Sequence, residues 1–327
     1  MDRVVLSMSA LGLAYLLDYI IGDPPRFPHP VRCLGMVIEG LEKVARRFFV
    51  SAAGLKAAGF LIVIIIAGGS VLATFLLIDG AYRFHYLAGW LFETYILFTV
   101  LAGGDLHRHV SRVGRELRSG RLERARTGTA LLVSRDTGRL DESGISRATL
   151  ESLFENSADG LVAPLFFAAL GGAPLAVLYK SVNTLDSMLG YLTDGYKDLG
   201  FFSARMDDIL SYIPSRLTAG LLVLAGAMEG ASGRGLRVLI RDRGKHNSPN
   251  SAWPEAAAAG VLGVKFGGPD RYHGRLKEQP LINAAGRDAG PGDIDRGLVL
   301  FNRVSIIAFI CSMIIYYLMQ TGEVFTF

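Results

Sequence analysis

Between residues 155 and 208, acids, amides and basic residues crowd among apolar stretches long enough to cross a membrane. Glu155-Asn156-Ser157-Ala158-Asp159 comes first. If this run is helical, Glu155 and Asp159 share a face one turn apart. Two carboxylates so placed, beside the Asn156 amide, suit Mg²⁺, a hard cation that takes oxygen ligands and keeps waters. The same residues also read as the polar start of an apolar helix. Lys180 and Asp186 follow, then Arg205, Asp207 and Asp208, then Pro214-Ser215-Arg216. Adjacent carboxylates repel unless a cation lies near. Arg205 can supply that charge locally; alternatively the pair faces a metal while Lys180, Arg205 and Arg216 hold phosphate oxygens.

Two more groups flank this stretch. Asp18, Asp23, His29 and Arg32 follow a helix that Pro24 and Pro25 must terminate. His29 among prolines reads as a turn residue or, with Arg32 near it, as a phosphate contact. His246-Asn247-Ser248-Pro249-Asn250-Ser251 packs donors and acceptors ahead of a short helix expected over 253–262. Pro254 suits its first turn and Glu255 the positive end of its dipole. Free N–H groups at such a terminus attract anions, although a well-capped surface helix would carry the same residues. The chain has no GxxxxGK[ST], no GxGxxG after a strand, no HExxH and no CxxC. ATP, if used, is therefore not held by a standard phosphate loop. Cys33 and Cys311 match no metal or redox spacing, and no disulfide framework follows.

Helices must position these groups. Half of the 327 residues are hydrophobic and 20% are charged, with a mean hydropathy of +0.34; a soluble domain carries about a quarter charged residues. The apolar residues cluster over 4–21, 57–78, 86–103, 161–178, 217–231 and 304–319, and about 20 such residues span the hydrocarbon core. Asp18 and Glu93 fall within the first and third runs, Pro164 and Pro174 within the fourth, and the fifth is short. Five or six spans are expected. The fold class is all-α: a polytopic helical membrane protein, one integral unit over 1–327, with polar insertions near 22–54, 104–158 and 232–303. The last, rich in Gly and Pro, reads mainly as loop around the one short helix. The first run has Arg3 near its start and no small-residue cleavage site, which makes it a retained helix and not a secretory signal.

The placement of charge matters more than its formal sum of +4. Arg108, Arg112, Arg115, Arg118, Arg121, Arg124 and Arg126 fall in one insertion, Arg234, Arg237, Arg241, Arg243 and Lys245 in another, and Lys43, Arg46 and Arg47 in the first. The positive-inside bias puts all three in the cytoplasm and the Lys- and Arg-free tail outside, in an inner membrane. If 161–178 and 217–231 both cross, 180–216 lies outside; the favoured reading is that this pair does not traverse and 180–216 faces the cytoplasm, where ATP is. Glu116 and Glu123 interrupt the arginine run and aromatic residues for base stacking are absent from it, which argues against nucleic acid. A helix turning its basic side to anionic lipid headgroups explains the run better.

Five blocks, in order, resemble the adenosylcobinamide-phosphate synthase family, integral membrane proteins of cobalamin biosynthesis. They are DYIIGDPPRFPHPVRCLG from Asp18, SRDTGRLDESGISRATLESLFENSADGLVAPLFF from Ser134, YKSVNTLDSMLGY from Tyr179, FFSARMDDILSYIPSRLTA from Phe201 and HNSPNSAWPEAAAAGVLGVKFGGP from His246. The resemblance covers nearly the whole chain. Phe154 and Ser215 stand where the family usually has Ala, and both changes spare the polar groups. The resemblance implies an ATP-dependent ligase that joins a propionate of adenosylcobyric acid, a corrinoid, to (R)-1-aminopropan-2-yl phosphate or a related amino alcohol. Activating a carboxylate for attack by an amine calls for Mg²⁺, cationic phosphate contacts and a base. On that expectation Glu155, Asp159, Asp207 and Asp208 serve Mg²⁺–ATP, and Arg32, Lys180, Arg205 and Arg216 contact phosphates. His29, His246 or Glu255 could be the base. Asn247 and Asn250 could bond the corrin amides and Trp253 could cover its apolar face, with Asp23, Asn156, Asp186 and Ser248 completing the substrate contacts. The bilayer and other enzymes of the pathway are the further partners expected, and nucleic acid is not. A transporter is the rival reading, because polar residues at broken helices also mark substrate pathways, but the chain shows no paired half-sequences. A non-catalytic signalling homologue would be expected to lose the acids at 155–159 and 207–208, which are present.

Overall fold

The computed structural model describes residues 3–23, 29–191, 193–246, 248–272 and 274–321. In chain order the helices are α1 (Arg3–Ile21), α2 (Pro30–Phe48), α3 (Ala52–Phe84), α4 (Tyr86–Val100), α5 (Gly103–Arg118), α6 (Leu122–Thr129) and α7 (Glu142–Ser157). A π-helical turn (Ala158–Val162) leads to α8 (Ala163–Leu189), followed by α9 (Phe201–Leu210), α10 (Tyr212–Ala225), a 3₁₀ turn (Gly226–Glu229), α11 (Ser232–Asp242) and α12 (Ala252–Leu262). Strands β1 (Phe266–Tyr272) and β2 (Arg275–Ile282) precede α13 (Pro291–Thr321). Packing groups the chain into two units: Met1–Ala102 with Ala163–Ser211 and Phe309–Phe327, and Gly103–Val162 with Tyr212–Ala308.

The first unit is built on apolar length. One side of α3 buries Ala58, Ile62, Val63 and Ile66 against Ile38 of α2 and against Leu185, Leu189 and Leu199. The other side leaves Phe60, Leu61, Ile64, Leu72, Phe75 and Leu76 about half exposed. An apolar band of that length is untenable in water and is what a lipid-facing helix presents. Gly59 lets α3 approach the chain closely, because a Cβ there would sit 2.0 Å from the Leu199 carbonyl oxygen. α1 meets α4 through polar contacts: Ser7 donates to the buried Glu93 at 2.9 Å and Trp90 to Ser9 at 2.9 Å.

Five helical stretches among the described residues are long and apolar enough to cross a bilayer: Arg3–Ile21, Ala52–Phe84, Tyr86–Arg118, Glu142–Leu189 and Pro291–Met319. α9 and α10, bent by 44°, add a sixth if they count as one broken span. The chain is thus a multi-pass helical membrane protein, as its apolar runs anticipate. Three details differ from the sequence reading. α1 ends at Ile21 with Gly22 at φ 67°, so a left-handed glycine stops it before the two prolines, which lie outside the described residues. The apolar run from 161 begins as a π turn, continues to Leu189 and is broken at Gly171 and Gly172, the latter at φ 67° and ψ −158°, just before Pro174. Finally, 232–303 is not mainly loop: it holds α11, α12, a β-hairpin and the start of α13.

That hairpin belongs to the second unit, with α5, α6, α7, α10, α11 and α12. β1 and β2 pair antiparallel from Phe266 opposite Ile282 to Tyr272 opposite Arg275, with an irregularity between Phe266 and Gly268. The bulge needs Gly267 and Gly268, at φ 76° and 98°, and a Cβ on Gly267 would meet the Pro280 carbonyl oxygen at 2.2 Å. The segment before α7 pins the hairpin's far end: Asp136 N–H donates to Arg271 O at 2.8 Å and Gly274 N–H to Asp136 Oδ2 at 2.7 Å. At its near end Asn283 N–H donates to the buried Asp242 at 2.7 Å. The Arg241 and Lys245 hydrogen bonds to that carboxyl, with Asn283, hold Asp242 well below the ordinary carboxylate range.

Candidate active site

α12 is the element that carries the site. Its Ala256-Ala257-Ala258-Ala259-Gly260 run has almost no side-chain bulk, so it packs tightly on α11; a Cβ on Gly260 would lie 2.8 Å from Gly235 Cα. The helix is consequently buried from Pro254 to Leu262, and Glu255 is carried inside with it at 6% exposure. Burial pushes the Glu255 carboxyl well above its ordinary value, the Glu155 and Glu151 charges add to the shift, and Arg135 opposes it. Glu255 is therefore a buried carboxyl of raised proton affinity, not the solvated dipole partner that its position in the first turn suggests. Nor does Ser251 cap the helix: its hydroxyl donates to Glu155 Oε1 at 2.8 Å, joining α7 to the start of α12. The turn before α12 is held instead by Ser248, whose Oγ accepts from Asn250 N–H and Ser251 N–H at 3.2 and 3.3 Å, while Ser248 N–H donates to His246 Nδ1 at 3.0 Å.

α10 sets a cation beside this turn. Arg216 Nη1 donates to Asn250 Oδ1 at 2.9 Å, and the guanidinium lies 3.4 Å from the Tyr212 ring centroid and 4.5 Å from that of Trp253. Arg243 approaches the Trp253 ring at 5.1 Å. Arg216 Nη1 also donates to the Tyr212 carbonyl at 2.7 Å and to Ser215 Oγ at 3.0 Å, and Nη2 to the Pro249 carbonyl at 3.4 Å, so Nε–H and part of Nη2 are what the guanidinium has left for a phosphate or carboxylate oxygen.

Beneath Glu255 lies a buried ionic network to which the sequence reading gave no role. Arg135 contacts Glu151 at 2.7 Å and Asp270 at 2.8 Å, and Arg147 contacts Asp270 at 2.7 Å. Gly267 N–H donates to Glu151 Oε1 at 2.6 Å, and Arg147 Nη1 donates to Gly267 O. The bulge in β1 thus exposes both its N–H and its carbonyl to α7. One signal was available: Arg147 and Glu151 stand four apart, a spacing that brings them onto one face of a helix.

The other expected residues fall as follows. In the second unit, Asn156 is exposed and bonds back to Ser152, at 2.9 Å to its carbonyl. Asp159 lies in the π turn that follows α7, and Glu155 accepts from Ser251 at the start of α12. Asn247 lies outside the described residues. In the first unit, Arg32 donates to Asp23 at 3.1 Å, and His29 Nε2 is 3.8 Å from the same carboxylate. Burial pushes His29 below its ordinary range, with Arg32 and Lys180 reinforcing that shift and Asp23 opposing it. Its Nδ1 is buried without a hydrogen-bond partner. His29 and Lys180 line a largely apolar cavity of about 380 Å³ with Phe92, Tyr95, Ser70 and Ser181. Asp186, Asp207 and Asp208 are electrostatic neighbours across α8 and α9. Asn183 donates to Asp207 at 3.3 Å, and Arg205, mostly exposed, reaches Asp208 at 3.9 Å. Among the described residues no group of three or more His, Cys, Asp or Glu is arranged to enclose a metal ion.

Fold and site together define a multi-pass helical membrane protein whose second unit holds a buried acid on α12 and a stacked arginine on α10. The chain belongs to the CobD/CbiB family: the family described as "CobD/Cbib protein" matches residues 11–301. It is 43% identical over 304 residues to cobalamin biosynthesis protein CbiB of Salmonella arizonae, covering 93% of this chain and 95% of that one. Its identity to cobalamin biosynthesis protein CobD of Klebsiella pneumoniae is 43% over 296 residues, 90% and 93% of the two chains. With CobD of Citrobacter koseri it is 42% over 304 residues, 93% and 95%. No solved structure matches.

Proposed function

We propose that this chain is an ATP-dependent ligase that joins a carboxylate of adenosylcobyric acid to the amine of (R)-1-aminopropan-2-yl phosphate or a related amino alcohol. The observation that carries the reading is the buried Glu255 carboxyl, next to Glu155 and Arg135, in a chain of a cobalamin-biosynthesis family. In such a ligation the corrinoid carboxylate oxygen attacks the terminal phosphorus of ATP, giving an acyl phosphate and ADP. The amine lone pair then attacks the acyl carbon and phosphate leaves with the C–O bonding pair. The nitrogen becomes cationic as the C–N bond forms and must lose a proton. Glu255, with a proton affinity raised by burial and by the nearby Glu155 and Glu151, is the group suited to take it. Arg216, braced by Tyr212, Trp253 and Asn250, is placed to hold a phosphate or carboxylate without spending its full set of donors. Ser251 and Glu155 fix the start of α12 and hence the direction of Glu255.

The resemblance also implies Mg²⁺. Asp186, Asp207 and Asp208 fit it as hard oxygen donors: they are mutual electrostatic neighbours, and Arg205 reaches Asp208 only at 3.9 Å. Magnesium bound through one or two carboxylates, water and phosphate oxygens needs no all-protein cage. When bound it would offset the negative charge that builds on the transferred phosphoryl group. Loops facing the cytoplasm would give ATP its access.

Purified protein in detergent, supplied with ATP, Mg²⁺, adenosylcobyric acid and the amino-alcohol phosphate, tests the reading. Mass spectrometry is expected to show ADP and the amide product in equal amounts. Amide formed without ATP, or ADP released with no corrinoid product, would overturn it.

A further inference from the structure

The arginine run of α5 and α6 has no part in the ligase reading. Most of its members are spoken for: Arg115 donates to Ser111 at 3.2 Å, Arg118 to Asp295 at 2.6 Å, Arg121 to Glu116 at 2.5 Å and Arg126 to the Leu140 carbonyl at 2.8 Å. Arg112 and Arg124 differ. Neither guanidinium has a hydrogen bond or ion pair among the described residues, and both line one cavity of about 350 Å³ between α5 and α6. His109, Glu116, Thr127 and Leu131 complete the wall. Glu116, the acid in that wall, is already neutralised by Arg121 and lies in the field of both free arginines.

Two guanidiniums without a hydrogen bond or ion pair among the described residues, on adjacent helices and facing one hollow, have only the field of Glu116, which Arg121 already binds, to offset their mutual repulsion. Their planar forks pair bidentately with the oxygens of a phosphate group. The volume lies in the range of small-ligand sites. Leu131, at 69% exposure, adds an apolar rim. α5 also continues in sequence the candidate span that opens at Tyr86, where a chain leaving the hydrocarbon meets headgroups. We propose that this cavity binds a phosphate group through Arg112 and Arg124, carried either by an anionic lipid headgroup or by a free phosphate compound.

Full-length protein in detergent tests this by two measurements. Native mass spectrometry compares retention of phosphatidylglycerol with phosphatidylcholine, and thermal unfolding is followed with and without inorganic phosphate. If the source is lipid, the wild type keeps phosphatidylglycerol preferentially, and the pair Arg112→Ala and Arg124→Ala lowers that retention by about tenfold or more. If the source is a free phosphate compound, lipid preference is absent, and inorganic phosphate raises the melting temperature of the wild type but not of the double variant. Arg115→Ala, in the same run but bonded to Ser111, is expected to bind as the wild type does. Should the alanine pair fail to fold, Arg112→Lys with Arg124→Lys keeps the charge and loses the forks, and retention or shift is expected to fall several-fold. The proposal is overturned if neither ligand distinguishes wild type from variant, or if Arg115→Ala weakens binding equally, since diffuse charge would then be the cause.

Discussion

Glu255 joins two properties that a carboxyl rarely has together: it is nearly inaccessible, and its closest charged company includes two further acids. An unfolded chain releases such a proton near the ordinary Glu value of about 4.3, whereas the fold holds it to higher pH. Between those limits the folded state binds more protons than the unfolded state, so stability falls as pH rises. The contribution is whole below the ordinary value and is lost on the way up to the folded one. Glu255→Gln keeps the shape and cannot ionise. Its melting temperature is therefore expected to gain on the wild type as pH rises above the ordinary Glu range, and a variant that tracks the wild type at every pH would show that Glu255 is ionised in the fold. The same substitution is expected to cut turnover by about 10²–10⁴. For Asp207→Asn with Asp208→Asn, product formation is expected to vanish while the protein still inserts; near-normal turnover would remove those acids from the site. At this scale residue type was legible and direction was not. Nothing in Asn250-Ser251-Ala252-Trp253-Pro254-Glu255 says that Ser251 will reach Glu155 instead of capping its own helix, because that choice is made by α7, far away in sequence.

Among the elements, the β-hairpin depends most on groups outside itself. β1 reads Phe-Gly-Gly-Pro-Asp-Arg-Tyr, and four of those seven residues are of types that strands avoid. Its pairing was therefore invisible in sequence and is specified by the bulge and by the charges beneath it. Arg135, at 10% side-chain exposure, holds Glu151 and Asp270 at 6% and 1%. Removing one member of a buried ionic set leaves the others uncompensated, at a cost of about 3–5 kcal/mol. Arg135→Ala is accordingly expected to loosen β1 and β2 before the helices. Hydrogen exchange should speed up over 266–282 while α3 amides stay protected. Uniform acceleration across the chain would mean that the network supports the whole fold and not the hairpin. α8 presents the opposite case: Gly171-Gly172 and Pro174 announce a break, and the break is there. The π turn before it carries no comparable signal, since it is an extra residue accommodated by tertiary packing.

For the molecule as a whole, apolar length was enough to reveal a multi-pass helical protein, but no run of residues states which side of the bilayer a polar insertion occupies. Packing within the second unit constrains it. The backbone of Asp136 pairs with Arg271, its carboxylate takes the Gly274 N–H, and Arg147 binds Asp270. Residues before α8 and residues after α11 are thus joined by direct hydrogen bonds, which a bilayer cannot separate. The insertions near 104–158 and 232–303 must share a side, so the chain between them has to cross an even number of times or not at all. On the positive-inside bias, the arginine and lysine excess in both insertions predicts that this side is the cytoplasm. In a chain with Cys33→Ser and Cys311→Ser, both natural cysteines being exposed, Arg139→Cys and Glu278→Cys occupy exposed positions on the two insertions. A membrane-impermeant maleimide is expected to label both in inverted vesicles and neither in right-side-out cells. Labelling of the two from opposite faces is incompatible with the contact between Asp136 and the hairpin, and would dismantle the unit that carries Glu255.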